Sequence, residues 1–299
     1  MIVVMGASGE TGGAALQGLR ELGVRCRALS RDPARLRDRL GEVRGVEFAA
    51  ADAADPESLR AGFDGASQLF LTMVNGPRQV EFETRAIDLA VSSGVEHIVK
   101  LSAPAAEPDS PVAISRWHWA IEEHLRGSGV AHTILRPYAF MQKLRTLAPG
   151  LAEGVIVGAM GDTACNWVDC RDIGDVAAAV LTRPELRGQV HTLTGAEVFG
   201  YPEISARLSR LLGRPIRYVD VPPEALRDNL IRQAHLPDWL AAHVTEIQLL
   251  ARTRPEQPTG VVARILGRAP RTLDDFLAEN LTYFRRAGGP PPGLDLNVG

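Results

Sequence analysis

A doubly wound α/β fold, a parallel sheet with helices on both faces, is predicted from three observations along the 299 residues. Short apolar runs alternate with amphipathic helical stretches over residues 1–153. The first of these runs opens directly into a group of closely spaced glycines. No run reaches the roughly 20 apolar residues that a membrane span needs. In order, strands are expected at 1–5, 24–29, 46–50, 68–72, 97–101 and 131–135, with helices at 14–22, 56–63, 79–93 and 112–127 between them. Spacing of this kind implies parallel strands joined by right-handed crossovers.

Beyond residue 150 the alternation loosens. Residues 154–157 and 166–168 read as short strands and 172–181 as a helix with acidic caps, while 190–193 is expected to return to the main sheet. Helical segments at 201–212, 222–251 and 273–286 follow, divided by prolines. A main domain at 1–153, completed by 166–195, thus carries a smaller lobe made of 154–165 and 196–286. The segment 287–299, with Gly288-Gly-Pro-Pro-Pro-Gly293, has the composition of a flexible tail.

The glycines carry the first chemical statement. In Gly6-Ala-Ser-Gly9-Glu-Thr-Gly12, the first glycine can take a positive-φ turn, the second admits a pyrophosphate close to the backbone, and the third lets the new helix pack on the strand. The helix start offers N–H groups and a positive dipole end to phosphate. A strand before and an amphipathic helix after supply the context for a dinucleotide site formed by Gly6, Ala7, Ser8, Gly9, Glu10, Thr11 and Gly12. The second strand ends in Ser30-Arg31-Asp32-Pro33. An arginine there suits the 2′-phosphate of NADP(H), so NADP(H) is preferred over NAD(H), although Asp32 next to it could be argued the other way and Arg35, Arg37 and Arg39 make an arginine-rich loop. Ligands of such sheets bind at the carboxyl ends of the strands. Asp52 and Ala53 after the third strand and Leu71, Thr72 and Met73 after the fourth are therefore expected at the cofactor, Asp52 either on the adenine amine or as a turn residue.

Composition removes several alternatives. A net charge of −3, with 45% hydrophobic and 23% charged residues, leaves no electrostatic footprint for nucleic acid or an anionic membrane. The amino terminus reads as a first strand rather than a leader, which predicts a cytoplasmic protein. Cys26, Cys165 and Cys170 form no metal-type pair, and no metal is expected. Only Lys100 and Lys143 among the 33 basic residues are lysine. Lys100 lies within an apolar strand and gets no role; Lys143 is expected to be solvated.

With these residues placed, the chain resembles the NmrA-like branch of the atypical short-chain dehydrogenase/reductases over nearly its whole length. The likeness rests on Gly6 to Gly12, Ser30-Arg-Asp-Pro33, Gly94-Val-Glu-His-Ile-Val99, His118-x-x-x-Glu122 through Thr133-Ile-Leu-Arg-Pro137, Trp167 to Asp175, and Leu193-Thr-Gly195. It implies a Rossmann fold, NADP(H), and relatives that include quinone oxidoreductases, triphenylmethane reductase and catalytically silent redox sensors. Short-chain reductases normally carry Tyr-x-x-x-Lys on the helix before the last core strand. None of Tyr138, Tyr201, Tyr218 and Tyr283 has a lysine four residues later, so that proton donor is absent.

On that helix His118 falls near the buried stripe of Ile114, Ile121 and Leu125, with Glu122 one turn on and placed to bond its ring. His118, Glu122 and Ser102 at the strand edge are the catalytic candidates, each with a bland alternative as a satisfied core or turn residue. The reading that follows is an NADPH-dependent oxidoreductase passing hydride to a small apolar or aromatic acceptor such as a quinone or enone. Two alternatives stay open: a silent NADP(H) sensor, and a non-redox isomerase, dehydratase or cyclase. A homodimer is compatible with all three.

Overall fold

The computed structural model describes residues 1–41, 44–254 and 256–285, so the segment expected as a tail, and Arg286 before it, lie outside the described residues. Six strands alternate with five helices in the first half: β1 Ile2–Val4, α1 Glu10–Glu21, β2 Cys26–Ser30, α2 Pro33–Leu40, β3 Val46–Ala50, α3 Pro56–Phe63 and β4 Gln68–Leu71. Next come α4 Gln79–Ser92, β5 His97–Leu101, α5 Ala113–Gly127 and β6 Ala131–Pro137. The arginine-rich stretch after β2 is a helix, not a loop. Asp32 caps it by accepting from Arg35 N at 2.9 Å, and Pro33 occupies the first turn, where a missing N–H costs nothing.

The second half contains β7 Ala139–Phe140, a 3₁₀ turn at Met141–Leu147, α6 Ala148–Ala152, β8 Val155–Gly158, β9 Cys165–Val168, α7 Cys170–Thr182 and β10 Val190–Leu193. It continues with β11 Val198–Phe199, α8 Tyr201–Leu212, β12 Arg217–Asp220, α9 Pro223–Arg232 and α10 Asp238–Thr253. Three short helices close it: α11 Val261–Leu266, α12 Leu273–Glu279 and α13 Leu281–Arg285. The helix expected at 273–286 is thus broken at Asn280, whose side chain donates back to the Phe276 carbonyl at 2.8 Å.

Seven strands form one sheet in the order β10-β6-β5-β4-β1-β2-β3, and every neighbouring pair is parallel. The chain reverses its direction of travel across the sheet between β1 and β4, the point at whose carboxyl ends doubly wound sheets bind their ligands. β10 pairs with β6, whereas β9 pairs outside this sheet, with β7 and β11. Only part of 166–195 therefore joins the main sheet.

Close helix packing fixes the crevice. A Cβ on Gly174 of α7 would stand 2.4 Å from Ala14 of α1, and one on Gly18 of α1 would stand 3.0 Å from Ala178 of α7. Small residues at these crossings let α7 lie against α1, which anchors the glycine turn at the helix start. Beyond the sheet, Trp167 stacks on Phe199 with ring centroids 5.8 Å apart, and a second core gathers Ile204, Leu208 and Phe276 around them. α10 lies across α5, where Trp239 meets Trp117 at 6.2 Å and Glu246 accepts from Ala113 N at 2.9 Å.

Candidate active site

The glycine turn has the shape the sequence demands, for measurable reasons. Gly6 sits at φ +74°, and a Cβ there would stand 2.3 Å from the Thr72 carbonyl oxygen; one on Gly12 would stand 2.2 Å from the Gly6 oxygen. Both positions exclude any side chain on internal grounds. Gly9 is different. Its Cβ would meet only the Gly6 oxygen at 3.4 Å, so the space above it is open, and as the α1 N-cap it offers no side-chain cap to the first-turn N–H groups. An uncapped helix start facing open space beside bare backbone fits a dinucleotide pyrophosphate. Ala7 and Thr11 face inward, Thr11 toward the Cys170 thiol, which leaves their backbone rather than their side chains for a ligand. Glu10, at the helix mouth, is ion-paired with Arg145, which offsets a negative charge that would otherwise repel phosphate.

Arg31 stands exposed at the end of β2 with no carboxylate partner among the described residues, while Asp32 is committed to capping α2. Asp52 serves as a turn residue: its Oδ1 accepts from Ala54 N at 2.9 Å, and its own N–H goes to Ser58 Oγ at 2.9 Å. Ala53 gives its carbonyl to Arg85 at 3.2 Å. Leu71 and Thr72 are buried beneath the turn, with Met73 packed at its margin.

At the next strand edge, the contacts of His118 differ from those expected. Its ring meets Lys100 Nζ at Nδ1, 3.2 Å away, and the Gln79 amide nitrogen at Nε2, 3.3 Å away. Lys100 in turn pairs with Glu83 Oε2 at 2.7 Å, both side chains being fully buried, and Gln79 donates to Glu83 Oε1 at 2.7 Å. Four polar side chains from α4, β5 and α5 thus close a ring inside the protein. Lys100, assigned no role from sequence, is its centre. The legible signals were a lysine amid an otherwise apolar strand, which must find partners if buried, and Gln79 and Glu83 at i, i+4 on one face of α4.

The Glu122 carboxylate makes no hydrogen bond to the His118 ring. It is fully buried among other partners: Ser102 Oγ donates to it at 2.5 Å, Arg126 at 2.7 Å and Arg136 Nε at 2.9 Å, with a second Arg136 bond to its other oxygen. One turn separates it from His118 in sequence, but the carboxylate turns toward β6. Ser102 is tied by the same contact, so its hydroxyl hydrogen is already used. The structure therefore separates the three candidates into His118 on one network and Ser102 with Glu122 on another.

Burial, helped by the charges of Lys100 and His243, holds His118 well below the usual imidazole range, so it is neutral near pH 7. His243 on α10 shares a helix face with Trp239 and Glu246, both in contact with α5. Burial and the charge of Lys143, which is exposed on the 3₁₀ turn, push His243 down to about 4. His97, on the far end of β5, is also lowered to about 4, chiefly by burial. Glu256, missed in the sequence, is pushed up to about 7 by burial despite accepting from Asn166 N at 2.7 Å.

These shifts have a sign. An imidazole kept neutral by the fold takes up a proton more readily when unfolded, so its contribution is present above about pH 6.5 and is lost as pH falls toward 4. Glu256 acts oppositely between 4.5 and 7. Three imidazoles outweigh one carboxyl, so the melting temperature is expected to drop steadily from pH 7 to pH 4.5. A flat profile by scanning calorimetry would contradict the assignment of neutral buried histidines.

A seven-stranded parallel sheet with an unobstructed glycine turn at its reversal point defines a Rossmann-type nucleotide-binding fold. The chain belongs to the NmrA-like family, whose model matches residues 1–277. It is 33% identical over 291 residues to an NAD(P)H azoreductase of Xenophilus azovorans, covering 96% of this chain and 100% of that one. It is 34% identical over 293 residues to a (4-alkanoyl-5-oxo-2,5-dihydrofuran-3-yl)methyl phosphate reductase of Streptomyces griseus, covering 95% and 99%. Among solved structures, an NADPH-dependent quinone oxidoreductase of Escherichia coli in complex with NADPH superposes with a TM-score of 0.86 at 23% identity, covering 94% of this chain and 100% of that one. These relatives are reductases, and NAD(P)H-dependent oxidoreductase is the enzyme class they define. No helix among the described residues is long and apolar enough to cross a membrane.

Proposed function

We propose that this protein is an NADPH-dependent reductase of a small, largely apolar or aromatic acceptor, of the quinone, azo or enone type. The observation that carries the reading is the open face above Gly9, where the backbone leaves room for a pyrophosphate and the helix start is uncapped. Two full-length relatives above 30% identity are reductases of small conjugated molecules by their names, which supports the acceptor class.

When bound, NADPH supplies the hydride. Gly6 to Gly12 would hold its pyrophosphate through backbone N–H groups, Arg31 its 2′-phosphate, and Leu71, Thr72 and Met73 would border it at the end of β4. His118 is the remaining candidate for protonating the reduced acceptor, since Ser102 and Glu122 are occupied with each other. α10, part of the smaller lobe, packs on α5, the helix that carries His118, and would border the acceptor on that side.

The test is oxidation of NADPH, followed by absorbance, against a panel of quinones, azo compounds and enones. Acceptor-dependent turnover is expected, and Arg31→Ala is expected to lower kcat/KM for NADPH at least tenfold while leaving that for NADH within about twofold, because only NADPH carries the 2′-phosphate that a guanidinium recognises. Tight NADPH binding without turnover on any acceptor would favour a sensor instead, and an equal loss with both nucleotides would remove Arg31 from phosphate recognition.

A further inference from the structure

The ring of Glu83, Lys100, His118 and Gln79 can be filled with hydrogens in two ways that differ by one proton. In the first, the Lys100 ammonium is ion-paired with Glu83 Oε2 and donates to the Leu101 carbonyl and to His118 Nδ1. A neutral His118 then carries its hydrogen on Nε2, which faces the Gln79 amide nitrogen, and that nitrogen is already donating to Glu83 Oε1. Two donors meet, and the Nε2–H has no acceptor in the ring. Turning the amide over merely sets its oxygen against the Glu83 carboxylate.

In the second arrangement Lys100 is a neutral amine. It donates to Glu83 and Leu101 and accepts from His118 Nδ1–H, while Gln79 uses both amide hydrogens, one on Glu83 Oε1 and one on His118 Nε2. Both nitrogens of His118 and both amide hydrogens of Gln79 then have partners, and the Gln79 carbonyl oxygen alone of that side chain has none. Losing the Nε2 proton and moving one proton from Lys100 to Nδ1 converts the first arrangement into the second.

We propose that Lys100 is a positioning residue and the proton reserve of this site, acting through His118. This rests on the reading of the protein as a reductase. As the acceptor gains hydride, the N–H bond at His118 Nε2 breaks and its proton goes to the acceptor atom on which the displaced electron pair, and so the negative charge, develops. A new N–H bond forms at Nδ1 with a proton from Lys100 Nζ, whose electron pair stays on nitrogen. His118 is neutral before and after, Lys100 ends as the amine and Glu83 remains a carboxylate; between turnovers the Nδ1 proton returns to Lys100 Nζ while Nε2 takes up a proton from solvent. Without Lys100, a neutral imidazole could give up its proton only by becoming an imidazolate, a far weaker acid. The groups facing His118 are Gln79 and Glu83 from α4, Lys100 from β5 and His243 from α10; Glu122 on its own helix is engaged by Ser102, Arg126 and Arg136.

The test combines a ring-nitrogen readout with kinetics. Long-range ¹⁵N–¹H spectra at pH 7, assigned through the signals missing in His118→Asn, are expected to show the Nε2–H tautomer in the wild-type protein and the Nδ1–H tautomer in Lys100→Met, where Gln79 becomes free to donate to Nε2. In the same variant kcat is expected to fall about 100-fold, the scale of acid–base catalysis, with the dissociation constant for NADPH unchanged. Should Lys100→Met fail to fold, the neutral double variant Glu83→Gln/Lys100→Gln preserves volume and hydrogen bonding and is expected to show the same fall in kcat. An Nδ1–H tautomer in wild type, the same tautomer in Lys100→Met as in wild type, or a folded double variant with wild-type kcat would each overturn the proposal. A wild-type protein that reduces no acceptor would defeat the functional reading, whereas the tautomer experiment tests the ring independently of turnover.

Discussion

Gly9→Ala is expected to leave the fold intact and to weaken NADPH binding at least tenfold, while Gly12→Ala, three residues on, is expected to destabilise the protein itself. The two glycines look alike in sequence and differ in what a methyl group would meet. At Gly12 it would lie 2.2 Å from the Gly6 carbonyl oxygen, a backbone atom with no freedom to retreat because Gly6 is itself pressed against Thr72. Overpacking of this kind costs about 3 kcal/mol when the neighbour is rigid. At Gly9 the methyl meets nothing closer than 3.4 Å, and exchanging glycine for alanine at a helix N-cap alters stability by about 1 kcal/mol or less. What it occupies is the open space proposed for the pyrophosphate. Urea denaturation of both variants with titration calorimetry against NADPH separates the two effects. A Gly9→Ala protein that binds NADPH like the wild type would place the cofactor elsewhere.

The second large effect is expected at Glu122. Its carboxylate accepts from Ser102, Arg126 and Arg136, and Arg136 reaches it with two nitrogens in a bidentate fork. Glu122→Leu removes the acceptor and leaves two partly exposed guanidiniums and a buried hydroxyl without their shared partner, a change expected to cost about 3 kcal/mol. Glu122→Gln keeps an acceptor oxygen for Ser102 or one arginine and is expected to lose less. Both should appear as a lower urea midpoint with an unchanged slope, which marks lost stability rather than a changed unfolded state. Because the Glu122 carboxylate bonds Ser102, Arg126 and Arg136 rather than the His118 ring, the Glu122→Gln protein that remains folded is expected to keep its kcat within about threefold. A stable Glu122→Gln protein with kcat reduced 100-fold would return the residue to the catalytic group.

How far the site could be read in advance depended on the range of the interactions. The glycine turn depends on contacts within a dozen residues and on one neighbouring strand, so Gly6, Gly9 and Gly12 announce it in the bare sequence. The α2 cap at Asp32-Pro33 was equally local and could have been recognised. The His118 surroundings were not local. Helical periodicity placed His118 and Glu122 on the same side of α5 with the right turn between them, yet it carries no information about which way each side chain leans or what the next element offers. Gln79 lies 39 residues from His118, and Arg136 lies 14 residues from Glu122.

By itself the sequence determined the parallel α/β order, the backbone turn and the missing Tyr-x-x-x-Lys, since these follow from apolar periodicity, glycine stereochemistry and residue identity. Only the tertiary structure decided which polar groups share the interior: that Lys100 closes a ring with Glu83, Gln79 and His118, and that Glu122 serves β6 instead. The physical reason is desolvation. A buried charge must take whatever partner the packing of separate elements brings within hydrogen-bond reach, and that choice is made in three dimensions rather than along the chain.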